Sequence, residues 1–378
     1  MRKLYLDEAA TTSVYPEVVK LMEKFYLKEY GNPSSLHALG ERAMKAIIEA
    51  KKAIAKEINC SPGEVIFTSG ATEANNLAIL GLARTNKNKR KIIISAIEHP
   101  SINEAVDYKR KEGYEVLNIP VDGSGLILLD ELEKAIDDNI LLVSIIHGNN
   151  IIGTIQDIEK IGQLCRRKKV VFHTDATQTF GKEKIDVKKM NISLLSASAH
   201  KIHGPKGIGF LYVRDGVKIE PLIYGGGQEK GIRSGTENVP AIVGFSKALE
   251  LYRKENKKNR NKIRKMRDSL MIELEKIGGR INGSREKGKR LDNNIHVSFD
   301  KDVDNETLVY RLSGKGIYVS AGSACDSKKE KEDHVLKAIG LSDERIRGSI
   351  RITIGNDVSE GDVERVVREI SRIVRAGF

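Results

Sequence analysis

Apolar segments typical of β-strands alternate with helical patterns between residues 64 and 213, and this alternation constrains the fold most strongly. The strand-like segments are EVIFT, KIIIS, EVLNIPV, LLVSII, VVFHTD, LLSAS and GIGFLYV. Helical patterns such as DIEKIGQLCRRKK lie between most of them. Strands joined through helices need crossover connections, so this order predicts a mostly parallel sheet that is buried on both faces.

The remainder of the chain follows a different pattern. A helical stretch from about 240 to 277 leads to the strand-like segments NNIHVSF and SIRITIG, which are interleaved with further helices. We therefore expect an α/β protein with a large domain over residues 13–260. Residues 1–12 and 261–378 are expected to form a smaller α+β domain. A chain of 378 residues is long enough to build two hydrophobic cores.

Composition predicts a cytoplasmic protein. No apolar run approaches the roughly 18 residues that a membrane helix needs. The segment MRKLYLDEAATT lacks the apolar region and cleavage site of a signal peptide. Cys60, Cys165 and Cys325 are far apart and form no C-x-x-C pair. This spacing argues against a disulfide framework and against a zinc site, so we expect no bound metal.

A formal net charge of +12 could indicate nucleic acid or an acidic protein as a partner. Part of this excess lies in ENKKNRNKIRKMRD, residues 255 to 268, which has the pattern of the polar side of a long helix. A solvated helix face explains this segment better than an RNA-binding patch, since no RNA-binding module is recognisable. We therefore do not expect nucleic acid as a partner.

Polar side chains follow five separate strands of the predicted sheet, at the points where the strands end. In open parallel sheets, ligands bind beyond the carboxyl ends of the strands. The residues at these ends are Thr72, His99, Asn150, Asp175, Ser198, His200 and Lys201. Together they supply hydroxyls, imidazoles, an amide, a carboxylate and an amine. Their convergence from five strands predicts one binding site.

Lys201 and Asp175 suggest the chemistry of this site. A lysine amine in a partly desolvated pocket can capture a carbonyl group, although an exposed loop lysine would have the same sequence context. We interpret Lys206, five residues further on, as such a surface lysine. Asp175 either caps a helix or is a buried carboxylate that needs a cation, such as a protonated pyridine nitrogen. Gln178 could direct its amide into the same pocket.

The segment Ser69-Gly70-Ala71-Thr72 joins a predicted strand to a helix. Backbone N–H groups at a helix N-terminus, together with the Thr72 hydroxyl, would bind a phosphate, and a plain helix start is the alternative. The segment matches neither the Walker motif nor the G-x-G-x-x-G fingerprint.

Two further residues leave alternatives open. Cys325 lies in the polar, lysine-rich segment SAGSACDSKKEKEDH, where nearby cations favour the thiolate, but it could be an incidental surface thiol. Arg351 lies in the strand-like GSIRITIG, where it would bind a substrate carboxylate or form a structural salt bridge.

A series of motifs, in order along nearly the whole chain, resembles those of the cysteine desulfurases. These enzymes are a class-V branch of the pyridoxal-phosphate (PLP) dependent transferases of fold type I. The motifs are LDEAATT, YGNPSSLHALG, FTSGATEANN, EHPS, HGNNIIGT, HTDATQ, SASAHKIHGPKGIG, GGGQEKGIRSGTEN, SAGSAC and GSIRITIG. The loop from Cys325 to Val335, which is ten positions further on, resembles that of the long-loop, iron–sulfur-assembly type.

The resemblance implies three catalytic residues: Lys201 holds PLP, His99 stacks on its ring and shuttles protons, and Cys325 forms a persulfide. The resemblance also implies a set of cofactor-binding residues. These are Ala71, Thr72, His99, Asn150, Asp175, Gln178, Ser198, His200, Lys201 and Thr236. Within this set, Thr236 is expected to come from the other subunit of a homodimer. Asn150 and Arg351 are expected to hold the substrate carboxylate.

The function implied is conversion of L-cysteine to L-alanine, with sulfur passed to an acceptor protein such as an iron–sulfur scaffold, or used in tRNA thiolation. Selenocysteine lyase, or a transaminase of the same fold, is one alternative. A non-catalytic sulfur-relay or tRNA-associated protein is another. The sequence departs from the family at Gly148, at Ile151 and in the charged KKEKED segment, which we expect to affect partner choice and rate.

Overall fold

The structure, a computed structural model, describes residues 2–86, 88–299, 303–321 and 333–376. The strands are β1 (Leu4–Tyr5), β2 (Val65–Thr68), β3 (Lys91–Ser95), β4 (Glu115–Ile119), β5 (Ile140–Ser144), β6 (Val171–Asp175), β7 (Leu194–Ser198), β8 (Gly209–Val213), β9 (Gly279–Asn282), β10 (Asn294–Phe299), β11 (Ile317–Tyr318) and β12 (Ser349–Thr353). The α-helices are α1 (Pro16–Leu27), α2 (Ala38–Ile58), α3 (Ala71–Asn76), α4 (Leu82–Thr85), α5 (Pro100–Lys111), α6 (Leu129–Ala135), α7 (Ile158–Arg167), α8 (Val239–Lys276), α9 (Asn305–Gly314), α10 (His334–Ala338), α11 (Asp343–Arg347) and α12 (Glu360–Ala376).

A seven-stranded sheet with the order β2-β8-β7-β6-β5-β3-β4 forms the centre of the described chain. Strands β7, β6, β5, β3 and β4 are parallel, which confirms the predicted mostly parallel sheet. Strand β8 is antiparallel to both of its neighbours. The connection from β7 to β8 contains only residues 199–208, which is too short for a crossover, so the chain returns in the opposite direction.

The central sheet is buried on both faces, as its continuous apolar segments predict. In β3, Ile93 packs into one apolar cluster, together with Val143 of β5 and Phe172 of β6. Ile92 and Ile94 of the same strand belong to a second cluster on the other side. Because successive side chains of a strand point to opposite faces, this division places a hydrophobic layer on each face of the sheet.

A third apolar cluster includes Leu4, Leu6 and side chains from residues 266–373. It lies around the antiparallel sheet β12-β10-β9 and the parallel pair β1-β11. This distribution agrees with the proposed small domain, and the domain boundaries remain a proposal.

Helix α8 is continuous across residue 260. Its buried residues stop at Leu249 and resume at Ile263, so one helix contributes to two apolar clusters. Although α8 has 38 residues, it is too polar to cross a membrane, and every other helix in the described ranges also lacks the length or the apolar character to do so.

Candidate active site

A cavity of about 470 Å³ opens at the carboxyl ends of the parallel strands, in the size range of small-molecule sites. Ten of the sequence-predicted site residues line it: Ala71, Thr72, His99, Asn150, Asp175, Gln178, Ser198, His200, Lys201 and Arg351. They come from segments that are up to 280 residues apart in the chain (351 − 71). The structure therefore brings together the residues that the strand ends and the family motifs selected, while their individual roles remain predictions.

Asp175 is the last residue of β6 and is only 3% exposed. Its Oδ1 accepts a hydrogen bond of 2.9 Å from the Thr177 N–H, so it caps a turn. Its Oδ2 accepts a hydrogen bond of 2.8 Å from Asn75 Nδ2. Both of these donors are neutral, so neither hydrogen bond brings a cation to the buried carboxylate at the cavity wall. A buried carboxylate in this state favours binding of a cationic group.

Lys201 ends a short 3₁₀ helix, Ala199–Lys201, which directly follows β7. Its Nζ donates hydrogen bonds to the carbonyl oxygens of Ala9 at 2.5 Å and Ala10 at 2.7 Å. The N-terminal segment therefore lies against the amine and fixes its position. Lys206 is exposed, as predicted, although it also borders the cavity.

The other side of the cavity has the features of an anion site. Helix α3 begins at Ala71 directly after the Ser69–Gly70 turn, and the first N–H groups of a helix have no partners within it. A Cβ on Gly209 of β8 would lie 2.8 Å from the Gly70 Cα, so only glycine lets this turn lie against the sheet. The hydroxyls of Thr72 and Ser198 line the same cavity.

His200 lines the cavity as a neutral imidazole. Burial, with the charge of Lys201 as a smaller cause, lowers the pKa of His200 to about 4. Its Nδ1 lies 3.2 Å from Thr11 Oγ1 in the N-terminal segment. A neutral imidazole can offer one N–H donor, which is consistent with the predicted contact to a phosphate.

Arg351 of β12 forms the structural salt bridge that was one of its two predicted roles, and its side chain also lines the cavity. It is 1% exposed, and its Nη2 donates to Asp7 Oδ1 at 2.7 Å, which forms a salt bridge. Its Nη1 donates to the Asn150 carbonyl oxygen at 3.1 Å. Its Nε is buried and, among the described residues, has no acceptor, although the side chain lines the cavity. A ligand carboxylate would supply that acceptor.

The neighbouring residues Asn149 and Asn150 have different surroundings. Asn149 is fully buried, and its Oδ1 accepts the N–H groups of Ile151 and Ile152, so it holds the turn. Asn150 lines the cavity, as predicted.

The two departures from the family pattern near the site have packing explanations. At Gly148, a Cβ would lie 2.6 Å from Thr179 Cγ2, so the threonine methyl group already occupies the space that a side chain at position 148 would need. Ile151 is 2% exposed and belongs to an apolar cluster with Ile97, Val335 and Leu336, the last two from α10. Ile151 therefore helps to fix the helix that follows residues 322–332.

Two of the predicted site residues, Thr236 and Cys325, are not among the described residues that line this cavity. Thr236 is exposed and is absent from the cavity lining of its own chain. Cys325 lies outside the described residues. Burial raises the pKa of both Cys60 and Cys165 to about 12, so neither is a thiolate at neutral pH.

Sequence reasoning missed several residues that contact the site. Asp7 pairs with Arg351, Asn75 contacts Asp175, and Ser101 contacts His99. A signal for Asn75 exists in FTSGATEANN, because asparagine is a poor helix former and here lies on the first turns of a buried helix.

Comparison with known proteins shows similarity over almost the whole chain. The class-V aminotransferase family model matches residues 4–366. Cysteine desulfurase IscS of Clostridium botulinum is 42% identical over 377 residues, which cover 99% of this chain and 95% of that protein. The solved structure of a NifS-like protein gives a TM-score of 0.93 at 39% identity, covering 99% of this chain and 100% of that one. The structure of SspA in complex with cysteine gives a TM-score of 0.83 at 37% identity, covering 93% of this chain and 99% of that one.

Proposed function

Because the chain belongs to the class-V aminotransferase family, and within it to the cysteine desulfurases, we propose that it converts L-cysteine to L-alanine with Lys201, His99 and Cys325 as catalytic residues. The observation that carries this assignment of residues is the single cavity, in which an amine, a buried carboxylate and an anion site meet. The sulfur passes to Cys325 as a persulfide on this proposal.

The family is PLP-dependent, and the described residues fit this cofactor. The Asp175 carboxylate supplies the negative charge that a protonated pyridine nitrogen requires. Thr177 Oγ1, in the cavity wall, is a buried hydroxyl that has no partner among the described residues. Lys201 provides the amine for covalent attachment, and the α3 N-terminus with Thr72, Ser198 and His200 provides donors for the phosphate. We therefore propose PLP as the cofactor, held on Lys201.

Bound PLP supplies an electron sink for the charge that develops at the substrate Cα. Arg351 and Asn150 hold the substrate carboxylate, which fixes the orientation of Cα. The Lys201 amine, freed when the substrate amine takes its place on the cofactor, would accept the Cα proton. The Cys325 thiolate attacks the substrate sulfur, so that an S–S bond forms while the C–S bond breaks, and the released carbon fragment takes up protons to become alanine. On this proposal His99, which lines the cavity, relays one of these protons.

The proposal also covers the oligomeric state of the protein, its sulfur acceptor and its location in the cell. The active form is a homodimer in which Thr236 of each subunit completes the phosphate site of the other. The persulfide is delivered to an acceptor protein such as an iron–sulfur scaffold. The protein works in the cytoplasm.

The alternatives differ in measurable products. A selenocysteine lyase would prefer selenocysteine, and a transaminase would leave the substrate sulfur bonded to carbon. A non-catalytic sulfur-relay protein would bind no PLP. The identity of the relatives and the retention of Lys201, Asp175 and His99 favour the desulfurase.

The test combines absorbance, product analysis and labelling. The purified protein with PLP should be yellow and should release alanine and, with a thiol reductant, sulfide from L-cysteine. Borohydride reduction followed by peptide mapping should place the cofactor on Lys201. Lys201→Ala should abolish both labelling and turnover, whereas the matched variant Lys206→Ala should retain both. Labelling of Lys206 in the unmodified protein would overturn the assignment.

A further inference from the structure

A buried hydrogen-bond network connects Asp175 with His99, two residues that line the cavity. Asn75 lies in α3 and is completely buried. Its Nδ2 donates to Asp175 Oδ2 at 2.8 Å and to Ser101 Oγ at 2.8 Å. Ser101 Oγ lies 2.8 Å from His99 Nδ1. One amide group therefore contacts the carboxylate directly and the imidazole through a single hydroxyl.

The orientation of the Asn75 amide follows from the chemistry of its partners. An ionised carboxylate only accepts hydrogen bonds, so the group that faces Asp175 must be the NH₂ and not the carbonyl. This orientation leaves Asn75 Oδ1 buried and, among the described residues, without a donor. A fold tolerates such a costly arrangement where a buried polar group has a function.

The same network determines the tautomer of His99. The backbone N–H of Ser101 donates to His99 Nδ1 at 3.1 Å, and a backbone N–H cannot accept. His99 Nδ1 must therefore present its lone pair, and the proton of the neutral imidazole resides on Nε2. Because Asn75 donates to Ser101 Oγ, the Ser101 hydroxyl proton is available as a second donor to the same Nδ1.

We propose that Asn75 is a positioning residue that holds the Asp175 carboxylate and, through Ser101, the His99 imidazole in one fixed arrangement. This inference rests on the proposed function and deepens it. With its proton on Nε2, neutral His99 offers a hydrogen-bond donor at Nε2 and no free base at Nδ1. That assignment leaves proton removal to the Lys201 amine.

Three variants separate the two branches of the network. Asn75→Leu removes the donor with little change in volume and cuts both branches. Ser101→Ala cuts only the branch to His99. Asn76→Ala is the matched control, because the Asn76 side chain donates to the Thr72 carbonyl within the same helix and does not enter the network.

The readouts are the PLP dissociation constant, the visible circular dichroism of bound PLP, kcat for alanine formation, and the unfolding temperature. Asn75→Leu should weaken PLP binding and reduce kcat about tenfold or more, the factor expected when a buried carboxylate loses a charge-assisted hydrogen bond. It should also change the dichroism band. Ser101→Ala should reduce kcat and leave the PLP dissociation constant within about twofold of the unmodified protein, since Asp175 keeps both donors. Asn76→Ala should leave all four readouts unchanged.

The double variant provides the decisive comparison. If Ser101 acts only through Asn75 and His99, adding Ser101→Ala to Asn75→Leu should reduce kcat by less than it does alone. Fully additive losses, or an Asn75→Leu protein that behaves like Asn76→Ala, would overturn the proposal. A lower unfolding temperature with unchanged dichroism would reduce Asn75 to a packing residue and would also overturn it. Failure of the unmodified protein to form alanine would instead refute the proposed function, while PLP binding and dichroism would still test the network.

Discussion

Glu98, the residue before His99, should be protonated in the folded protein at neutral pH. It is 0% exposed, and its Oε1 accepts hydrogen bonds from the Ser95 hydroxyl and, at 2.7 Å, from the Ile146 N–H. Its Oε2 is buried and has no partner among the described residues. Burial, reinforced by the nearby charge of Asp175 and opposed by these hydrogen bonds, raises the pKa of Glu98 to about 8.

The raised pKa of Glu98 makes the folded protein less stable as the pH rises. Between an unfolded pKa of 4.5 and a folded pKa of about 8, the folded chain binds a proton at Glu98 that the unfolded chain has lost. The stabilisation is therefore complete below pH 4.5 and is lost as the pH rises through 8. At roughly 1.4 kcal/mol per pH unit, the change between pH 5 and pH 8 is about 4 kcal/mol.

Glu98→Gln tests this value, because glutamine has the shape of the protonated acid and does not titrate. The free energy of unfolding in urea should be similar for both proteins at pH 5. At pH 8 the unmodified protein should be less stable than the variant, by up to about 4 kcal/mol. Other titrating groups are present in both proteins and cancel in this comparison. The infrared carbonyl band of a protonated carboxyl should also be present at pH 7 and absent from the variant. A stability difference that is independent of pH would refute the reasoning.

The remaining predictions concern residues whose roles come from the family. Cys325→Ser should bind PLP and L-cysteine and lose alanine release, because a serine hydroxyl is a far poorer nucleophile toward sulfur, whereas Cys60→Ser and Cys165→Ser should remain active in the same assay. Unchanged desulfuration by Cys325→Ser would exclude that residue as the sulfur acceptor. Verified heterodimers of Lys201→Ala and Thr236→Ala subunits should recover activity, since one of their two sites carries neither defect. Heterodimers as inactive as the parent variants would argue against shared sites.

The sequence was most informative where a strand ends. The apolar segments locate the ends of β3, β6 and β7, so His99, Asp175 and Lys201 could be assigned to one edge of the sheet before the fold was known. Their chemical roles came from the family resemblance, because an isolated lysine or aspartate at such an edge has ordinary structural uses.

Other contacts could not be predicted, because they depend on packing between distant segments. Asp7 and Arg351 are 344 positions apart, and neither has a neighbour in sequence that indicates the other. Asn75 reaches Asp175 across 100 positions. The N-terminal carbonyls that accept the Lys201 amine carry no side-chain signal, since any residue type offers a carbonyl oxygen.

Helix α8 contributes to two apolar clusters, so the number of residues between its two buried parts matters for both clusters. Between Leu249 and Ile263, where full burial is interrupted, Glu255 still accepts hydrogen bonds from Tyr15 and Asn356, which approach from different parts of the chain. One residue added to this span would rotate everything beyond it by about 100° and shift it by about 1.5 Å. Leu270 and Leu274 would then face away from the cluster they now fill. Substitutions on the solvated side of this span should be tolerated freely. A single insertion or deletion should instead turn the buried residues of α8 away from one of the two apolar clusters.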